Sequence, residues 1–173
     1  MMIWFLFGAM CMLVVLLIWA YFELAALNKA AKLAWDRLDN EMKHRLELLP
    51  NLAFYAASLP ELNRTQLQEQ QKQFLEPSLS LQQRVEKENL ITQFFKQIFT
   101  MALQHPEVEK DVHFTHLKES IVHAENSVQR AKKTYNSAAH KFNMISTLVP
   151  INLVSSVFEM PPYEYFDFYR SIE

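Results

Sequence analysis

The sequence is poor in the small and reactive residues on which many enzyme sites depend. Glycine occurs once, at Gly8, and cysteine once, at Cys11. The rest of the chain therefore cannot form a Gly-rich phosphate loop, a dinucleotide fingerprint or a glycine-flanked nucleophile. It also cannot form an internal disulfide or a zinc-type cysteine cluster. With 17 basic and 19 acidic residues, there is no basic surplus, so we expect no nucleic-acid partner.

Charge is missing from the first 22 residues. Residues 1–22 are rich in Leu, Val, Met, Ile and Phe, with Trp4, Trp19 and Tyr21 near the two ends. At about 1.5 Å per residue such a helix reaches across the roughly 30 Å hydrocarbon layer, with aromatic side chains at both interfaces. We predict a single-pass transmembrane anchor at residues 1–22, with the lipid bilayer as its partner. A cleaved signal peptide fits less well, because no basic region precedes the apolar run.

Five Lys and Arg residues follow the anchor within residues 23–45, and they predict its orientation. Only the terminal amine lies on the other side of the apolar run. Basic residues close to a span favour the cytoplasmic side, so we expect the remainder of the chain there. These basic residues are Lys29, Lys32, Arg37, Lys43 and Arg45.

The first predicted helix beyond the anchor covers residues 23–59. Its apolar residues recur every three or four positions and form one stripe. We expect Asp39 with Lys43, and Glu41 with Arg45, to pair on the opposite, solvated face. Pro50 removes a backbone donor, so the helix is predicted to kink there. The stripe consists of Leu24, Leu27, Ala31, Ala34 or Trp35, Leu38, Met42, Leu46 and Leu49.

Three further helices are predicted, at residues 63–75, 80–104 and 111–148. Ser80 and Gln83 form a capping-box pattern at the start of the second of these. The last has apolar residues at alternating steps of three and four, which is typical of coiled-coil packing. We predict an all-α fold, in which a transmembrane helix precedes an antiparallel bundle of three to four long helices over residues 23–148. The repeating positions of the last helix are Phe114, Leu117, Ile121, Ala124, Val128, Ala131, Tyr135, Ala138, Phe142 and Ile145.

Residues 149–173 are predicted to be irregular and to pack on the bundle as an aromatic segment. Folding back over an open end of the bundle is the main interpretation, and a partner-docking surface is the alternative. If residues 64–104 form one broken return arm, the 111–148 helix runs away from the membrane and this segment lies at the far end. The aromatic residues are Tyr163, Tyr165, Phe166, Phe168 and Tyr169.

Metal chemistry has weak support. A di-metal bundle needs two Glu-x-x-His motifs on facing helices, and only Glu41–His44 is present. His116 and His123 are predicted to face away from the packing seam as solvated side chains, with a weak metal or pH-sensing site as the alternative. No nucleophile lies in a recognisable strained turn. We therefore expect no catalytic residue, no cofactor, no metal and no small-molecule substrate.

Two separated segments carry a recognisable pattern. The first is AWDRLDNEMKHRLELLPNL, and the second is AENSVQRAKKTYNSAAHKFN followed by PINLVSSVF and PPYEYF. Their order and spacing resemble the signature of the LemA family of bacterial membrane-anchored helical proteins. Glu159 stands where a glycine is common in that family. The matching positions are Ala34, Trp35, Asp39, Arg45, Leu48, Pro50, Asn51 and Leu52, then Glu125, Asn126, Ala131, Tyr135, Asn136, Pro150, Asn152, Leu153, Pro161, Glu164, Tyr165 and Phe166.

The resemblance implies a helical bundle on one N-terminal span in the bacterial inner membrane, and it implies little chemistry. The structural interpretation makes Asp39 and Arg45 solvated charges, Trp35 a core anchor and Pro50-Asn51 a kink. The functional interpretation makes the kink and its flanking charges a docking surface for a membrane protein or another copy. The candidate signature residues are Trp35, Asp39, Arg45, Pro50, Asn51, Tyr135, Asn136, Tyr165 and Phe166.

The function that these observations favour is a non-enzymatic scaffold or adaptor at the membrane. It is expected to associate with itself or to bind another membrane protein. One alternative is an accessory regulator, or a substrate-delivery factor, of a membrane-bound peptidase. The other is a metal-binding helical-bundle enzyme.

Overall fold

The structure, a computed structural model, describes residues 2–56, 69, 72–74 and 80–166. Those residues contain helices and no strand, so the all-α prediction is confirmed. Most of the predicted helix at 63–75 lies outside the described residues. Phe168 and Tyr169 lie outside them as well. The helices are α1 (Met2–Glu47), α2 (Leu49–Ala56), α3 (Leu81–Ala102), α4 (Pro106–Glu109), α5 (Val112–Ser146) and α6 (Ile151–Val157).

Helix α1 contains both the apolar run and the first predicted arm of the bundle. It extends for 46 residues without interruption. Within the described part of the chain, the helix that begins at Met2 is the one long and apolar enough to cross a membrane. Nearly all its side chains before Trp19 are exposed. Such exposure of apolar side chains is what a lipid-facing helix requires.

The break between α1 and α2 precedes Pro50. Leu48 lies in a turn, and its N–H donates to the Arg45 carbonyl at 3.2 Å. Helix α2 then begins at Leu49, with Pro50 as its second residue. A helix tolerates proline in its first turn, because the missing N–H would have no intrahelical acceptor there. The interruption is therefore confined to Leu48, two residues before the predicted kink position, and Leu52 N–H already donates to the Leu48 carbonyl at 3.2 Å.

The chain divides into two compact units. The first unit comprises Met1–Asp36 and Lys133–Tyr165, and the second comprises Arg37–Lys132 and Phe166–Glu173. In the first unit, α5 runs antiparallel to α1, because Trp35 contacts Tyr135 whereas earlier residues of α1 contact later residues of α5. The core of this unit consists of Ala20, Leu24, Phe142, Ile151 and Val154.

The second unit packs α2, α3 and α5 around an aromatic-rich core. Helix α3 begins at the predicted capping box: Gln83 N–H donates to Ser80 Oγ, and Ser80 N–H donates to Gln83 Oε1, each at 3.2 Å. That prediction is confirmed. The buried core residues are Leu49, Leu52, Phe74, Ile91, Phe94, Phe95, Ile98, Ala102, Phe114, Leu117 and Ile121.

Helix directions correct one expectation. Helix α3 runs parallel to α1, because Arg84 pairs with Asp39 and, one turn later, Glu88 pairs with Arg45. The return run is α5, which is antiparallel to both helices. Its C-terminal end and α6 pack on Ala20 and Leu24 of α1. The C-terminal segment therefore lies beside the end of the apolar run. Because α3 is not a return arm, the condition for placing the segment at the far end is not met.

The packing seam of α5 follows the predicted repeat from Phe114 to Tyr135. Beyond Tyr135 the buried residues are Ala139, Phe142 and Ser146, so Phe142 keeps its predicted position whereas the predicted Ala138 and Ile145 are half-buried. An α-helix has 3.6 residues per turn, so a strict 3.5-residue repeat drifts by about 20° per heptad. The added four-residue step from Tyr135 to Ala139 compensates for that drift.

The C-terminal segment is more regular than predicted. Residues 151–157 form α6, which ends in a Schellman motif. Glu159 N–H donates to the Ser156 carbonyl at 3.4 Å, and Met160 N–H donates to the Ser155 carbonyl at 3.0 Å. Glu159 adopts a φ of 48°. This left-handed conformation favours glycine, because a Cβ crowds the following carbonyl.

Candidate functional site: a buried arginine and two carboxylates

Arg45 is a fully buried charged residue on α1. The buried residues here are Leu38, Met42 and Arg45 on α1 and Leu49 at the start of α2, at steps of four, three and four. Arg45 thus takes the inward position that was predicted for Leu46, which is half-buried. The interpretation of Arg45 as a solvated charge is wrong, because the guanidinium lies inside the second unit.

The guanidinium of Arg45 joins three helices. Its Nη1 donates to Glu125 Oε2 on α5 at 2.5 Å and to Thr92 Oγ1 on α3 at 3.0 Å. Its Nη2 donates to Glu88 Oε2 on α3. Glu88 is 3% exposed, and the side chain of Glu125 is 26% exposed. Arg45 does not pair with Glu41 as predicted, because its charge is directed towards Glu88 and Glu125.

Neighbouring polar groups orient these carboxylates. Thr92 Oγ1 donates to Glu125 Oε1 at 3.5 Å, and Gln129 Nε2 donates to the same oxygen at 3.3 Å. Thr92 lies one turn after Glu88 on α3, so both side chains face Arg45. We call Arg45, Glu88, Thr92 and Glu125 the buried ion cluster.

Charge is unbalanced in the buried ion cluster, since two carboxyl groups face one guanidinium. Burial raises the pKa of Glu88 above its ordinary value of 4.5, because desolvation disfavours the charged form. The positive charges of Arg45 and Arg84 oppose that rise, and the charge of Glu125 adds to it. Glu88 therefore holds its proton to higher pH than a solvated carboxyl does.

Asp39 extends the polar interactions towards the surface. Its carboxylate pairs with Lys43 at 2.7 Å, as predicted, and with Arg84 on α3. The Asp39 side chain is only 18% exposed, so Asp39 connects α1 to α3 and is not a freely solvated charge. Burial lowers the pKa of Arg84, and the nearby Glu88 charge opposes that change.

A second set of signature residues binds the C-terminal segment to α5 within the first unit. Trp35 and Tyr135 pack edge to face, with ring centroids 5.2 Å apart. Tyr135 Oη donates to the Glu164 carbonyl at 2.7 Å, and burial raises the pKa of this hydroxyl. Tyr165 Oη lies 3.3 Å from His140 Nδ1. These contacts hold the chain around Glu164 against α5.

Asn143 and the backbone of Tyr163 form a reciprocal pair of hydrogen bonds. Asn143 Nδ2 donates to the Tyr163 carbonyl, and Tyr163 N–H donates to Asn143 Oδ1, each at 2.8 Å. Tyr163 Oη donates to Asn28 Oδ1 on α1. One tyrosine therefore connects the segment to both α1 and α5.

The structure distributes the predicted signature residues over several places. Arg45 lies in the buried ion cluster and Asp39 borders it, whereas Trp35, Tyr135 and Tyr165 hold the C-terminal segment. Phe166 is fully buried, Asn136 is half-buried, and Pro50 and Asn51 are exposed. Asn51 lines a groove of about 410 Å³ in the second unit. We call this the kink groove; its lining is Leu48, Asn51, Phe54, Tyr55, His113, His116, Leu117 and Ser120.

Sequence reasoning missed Glu88 and Thr92. The signal for Glu88 was present, because Glu88, Ile91, Phe95, Ile98 and Ala102 are separated by alternating steps of three and four. A carboxylate in such a row is directed inward and needs a partner. Arg45 stands in the equivalent row of α1. In the described residues, no three His, Cys, Asp or Glu side chains are grouped to hold a metal ion.

These features define a class: a helical-bundle protein whose first helix is long and apolar enough to cross a membrane and shares a buried ion cluster with two later helices. The sequence profile of the LemA family matches residues 34–173. The match covers most of the chain, so this protein belongs to the LemA family. No curated protein matches the sequence.

Proposed function

We propose that this protein is a non-enzymatic scaffold anchored in the bacterial inner membrane. Residues 1–22 span the bilayer, and the basic residues that follow place the bundle on the cytoplasmic side. The observation that carries the proposal is α1, in which an exposed apolar run long enough for a bilayer continues directly into the first arm of the bundle. Such a helix would attach the bundle to the bilayer directly, without a flexible linker.

The buried ion cluster supports a structural role. Arg45 is fully buried, and its Nη atoms are engaged by Glu88, Thr92 and Glu125. A buried charged group whose Nη atoms are all bound by neighbouring helices holds those helices together and is not available to a substrate. The cluster thus supports a scaffold more than a reaction centre.

The kink groove is the proposed docking surface for another copy or for another membrane protein. Phe54 is 72% exposed, beside Asn51 and the exposed His113 and His116. An exposed aromatic ring bordered by polar groups is the composition found at protein interfaces. Arg45→Glu does not test docking, because it would add a third carboxylate to the buried ion cluster.

Photo-cross-linking in host membranes tests the proposal. A photoreactive phenylalanine analogue replaces Phe54, and the control carries it at Leu103, which is also exposed, at 56%. We expect a discrete product from position 54 that position 103 does not give. A product of twice the chain mass identifies a second copy, and mass spectrometry identifies any other partner.

Equal yields at positions 54 and 103 would rule out docking at the kink groove. Recovery of a membrane peptidase as the partner would favour the substrate-delivery alternative. Elemental analysis of the purified chain tests the remaining alternative, a metal-binding helical-bundle enzyme. Stoichiometric iron, manganese or zinc would overturn the non-enzymatic part of the proposal.

A further inference from the structure

The chain has a second long stretch without charge. Between Lys141 and Glu159 there is no Asp, Glu, Lys, Arg or His. This stretch comprises the end of α5, the connecting turn and α6, and we call residues 142–158 the neutral hairpin. A surface segment of this length in water normally carries charged side chains.

The neutral hairpin packs against the end of the apolar run of α1. Ile151 and Val154 form a common core with Ala20 and Leu24. The rings of Tyr21 and Phe158 lie with their centroids 4.7 Å apart. A groove of about 410 Å³ between α1 and α6 is lined entirely by apolar or aromatic side chains, namely Leu17, Ile18, Tyr21, Leu153, Val154, Val157 and Phe158.

The outward side of the neutral hairpin is also apolar. Val149 is 80% exposed, Val157 75% and Leu153 58%. Leu153 and Val157 are one turn apart on α6, so they lie on one face. Exposed apolar side chains in a contiguous row mark a surface that contacts something other than water.

The position of α6 along α1 indicates that this surface contacts the bilayer. Leu17, Ile18 and Tyr21 belong to the charge-free run that spans the bilayer in the proposed function, and they border the same groove as Leu153 and Val157. Groups beside the last turn of a span lie at the boundary between acyl chains and headgroups. Helix α6 has seven residues, or about 10 Å at 1.5 Å per residue, so it is too short to span.

We propose that the neutral hairpin is a second membrane contact, with α6 lying in the bilayer interface and Leu153 and Val157 in the acyl region. This inference rests on the span of the proposed function. Asn152 and Ser156, on the neighbouring face of α6, are polar without charge and suit the headgroup boundary. We assign the bilayer as the partner of this surface, because the lipid-facing side of α1 is continuous with the exposed apolar side of the neutral hairpin.

Fluorophore labelling of the full chain in lipid nanodiscs, one copy per disc, tests this inference. One sample is labelled at the native Cys11, in the middle of the span. The test variant is Val157→Cys in a Cys11→Ser background. The aqueous control is Asp36→Cys in the same background, about 21 Å beyond Phe22 along α1 at 1.5 Å per residue. Quenching is measured with doxyl-labelled lipids and with iodide in the buffer.

The inference predicts that the label at position 157 loses most of its emission to doxyl lipids and little to iodide, as at position 11. The label at position 36 should show the reverse. Lipid quenching at position 11 with iodide quenching at position 157 would overturn the inference and leave the span intact. A label at 157 that neither reagent quenches would show that protein covers the surface, which also overturns the inference. Loss of lipid quenching at position 11 would overturn the span itself.

Discussion

Arg45 shows what a residue pattern can and cannot predict. Arg45 fits a repeat of three and four residues on α1 as well as Leu46 does. Because Arg45 is charged, the sequence alone favours Leu46 for the buried face and Arg45 for the solvated face. The partners that make burial tolerable are far along the chain: Glu88 is 43 and Glu125 80 positions away. Only the fold brings these three residues together. The docking function of the exposed signature residues Pro50 and Asn51 stays a prediction.

Glu88 gives the chain a pH dependence whose sign follows from its raised pKa. The folded state binds this proton more tightly than the unfolded state, in which the pKa is near 4.5. The stabilisation is complete below that pH and is lost as the pH rises through the folded-state pKa. We expect Glu88→Gln to remove this decline in the free energy of unfolding, measured by urea titration over a pH series.

A matched control for this measurement is Glu86→Gln, because Glu86 is exposed on the same helix. That variant should keep the pH profile of the wild type. If Glu88→Gln also keeps it, Glu88 does not titrate with a raised pKa and this account of its burial is incorrect.

Glu159 provides a test of backbone conformation. Its φ of 48° costs an L-residue about 1 kcal/mol relative to glycine. Glu159→Gly should therefore stabilise the protein by up to about 1 kcal/mol, seen as a higher midpoint in urea. Ser156→Gly, inside α6, should destabilise it by about 0.5 to 1 kcal/mol. Destabilisation by both changes would contradict the left-handed conformation of Glu159.

At the scale of single helices, the sequence predicted most of the fold. The apolar repeats identified α1, α3 and α5, and the Ser80–Gln83 pattern identified the start of α3. Helix α6 was missed because its seven residues are too few to show a period. The direction of α3 was not predictable, because amphipathic stripes do not specify which neighbour a helix packs against.

The capping box of α3 gives a prediction at this scale. Ser80 accepts the Gln83 N–H, and Ser80→Ala leaves that donor without its side-chain acceptor. We expect the free energy of unfolding to fall by about 1 kcal/mol. Ser120→Ala is the control, since the exposed Ser120 hydroxyl bonds only back to the His116 carbonyl within its own helix. It should change stability by less than about 0.5 kcal/mol; a similar loss in both variants would argue against the cap.

At the scale of the whole chain, membership of the LemA family and the all-α fold follow from the sequence and the structure together. The membrane anchor at residues 1–22, the cytoplasmic location of the bundle and the identity of the partner are proposals. The buried ion cluster matters at this scale because it connects α1, α3 and α5. Removing one charge would leave the others buried without compensation.

Arg45→Met should therefore destabilise the protein by about 3 to 5 kcal/mol, because the buried Glu88 and the half-buried Glu125 both lose their guanidinium partner. The unfolding of the full chain in detergent, followed by circular dichroism in urea, measures this loss. Arg37→Met is the matched control, since Arg37 is exposed on the same helix. It should cost less than about 0.5 kcal/mol.

The most direct test of the buried ion cluster is a double-mutant cycle with Arg45→Met and Glu88→Met. If the two side chains form a buried ion pair, the double variant should be more stable than the sum of the single losses predicts, with a coupling free energy above about 1 kcal/mol. Additive losses, within about 0.5 kcal/mol, would show that Arg45 and Glu88 do not interact and would contradict the arrangement of α1 and α3 described above.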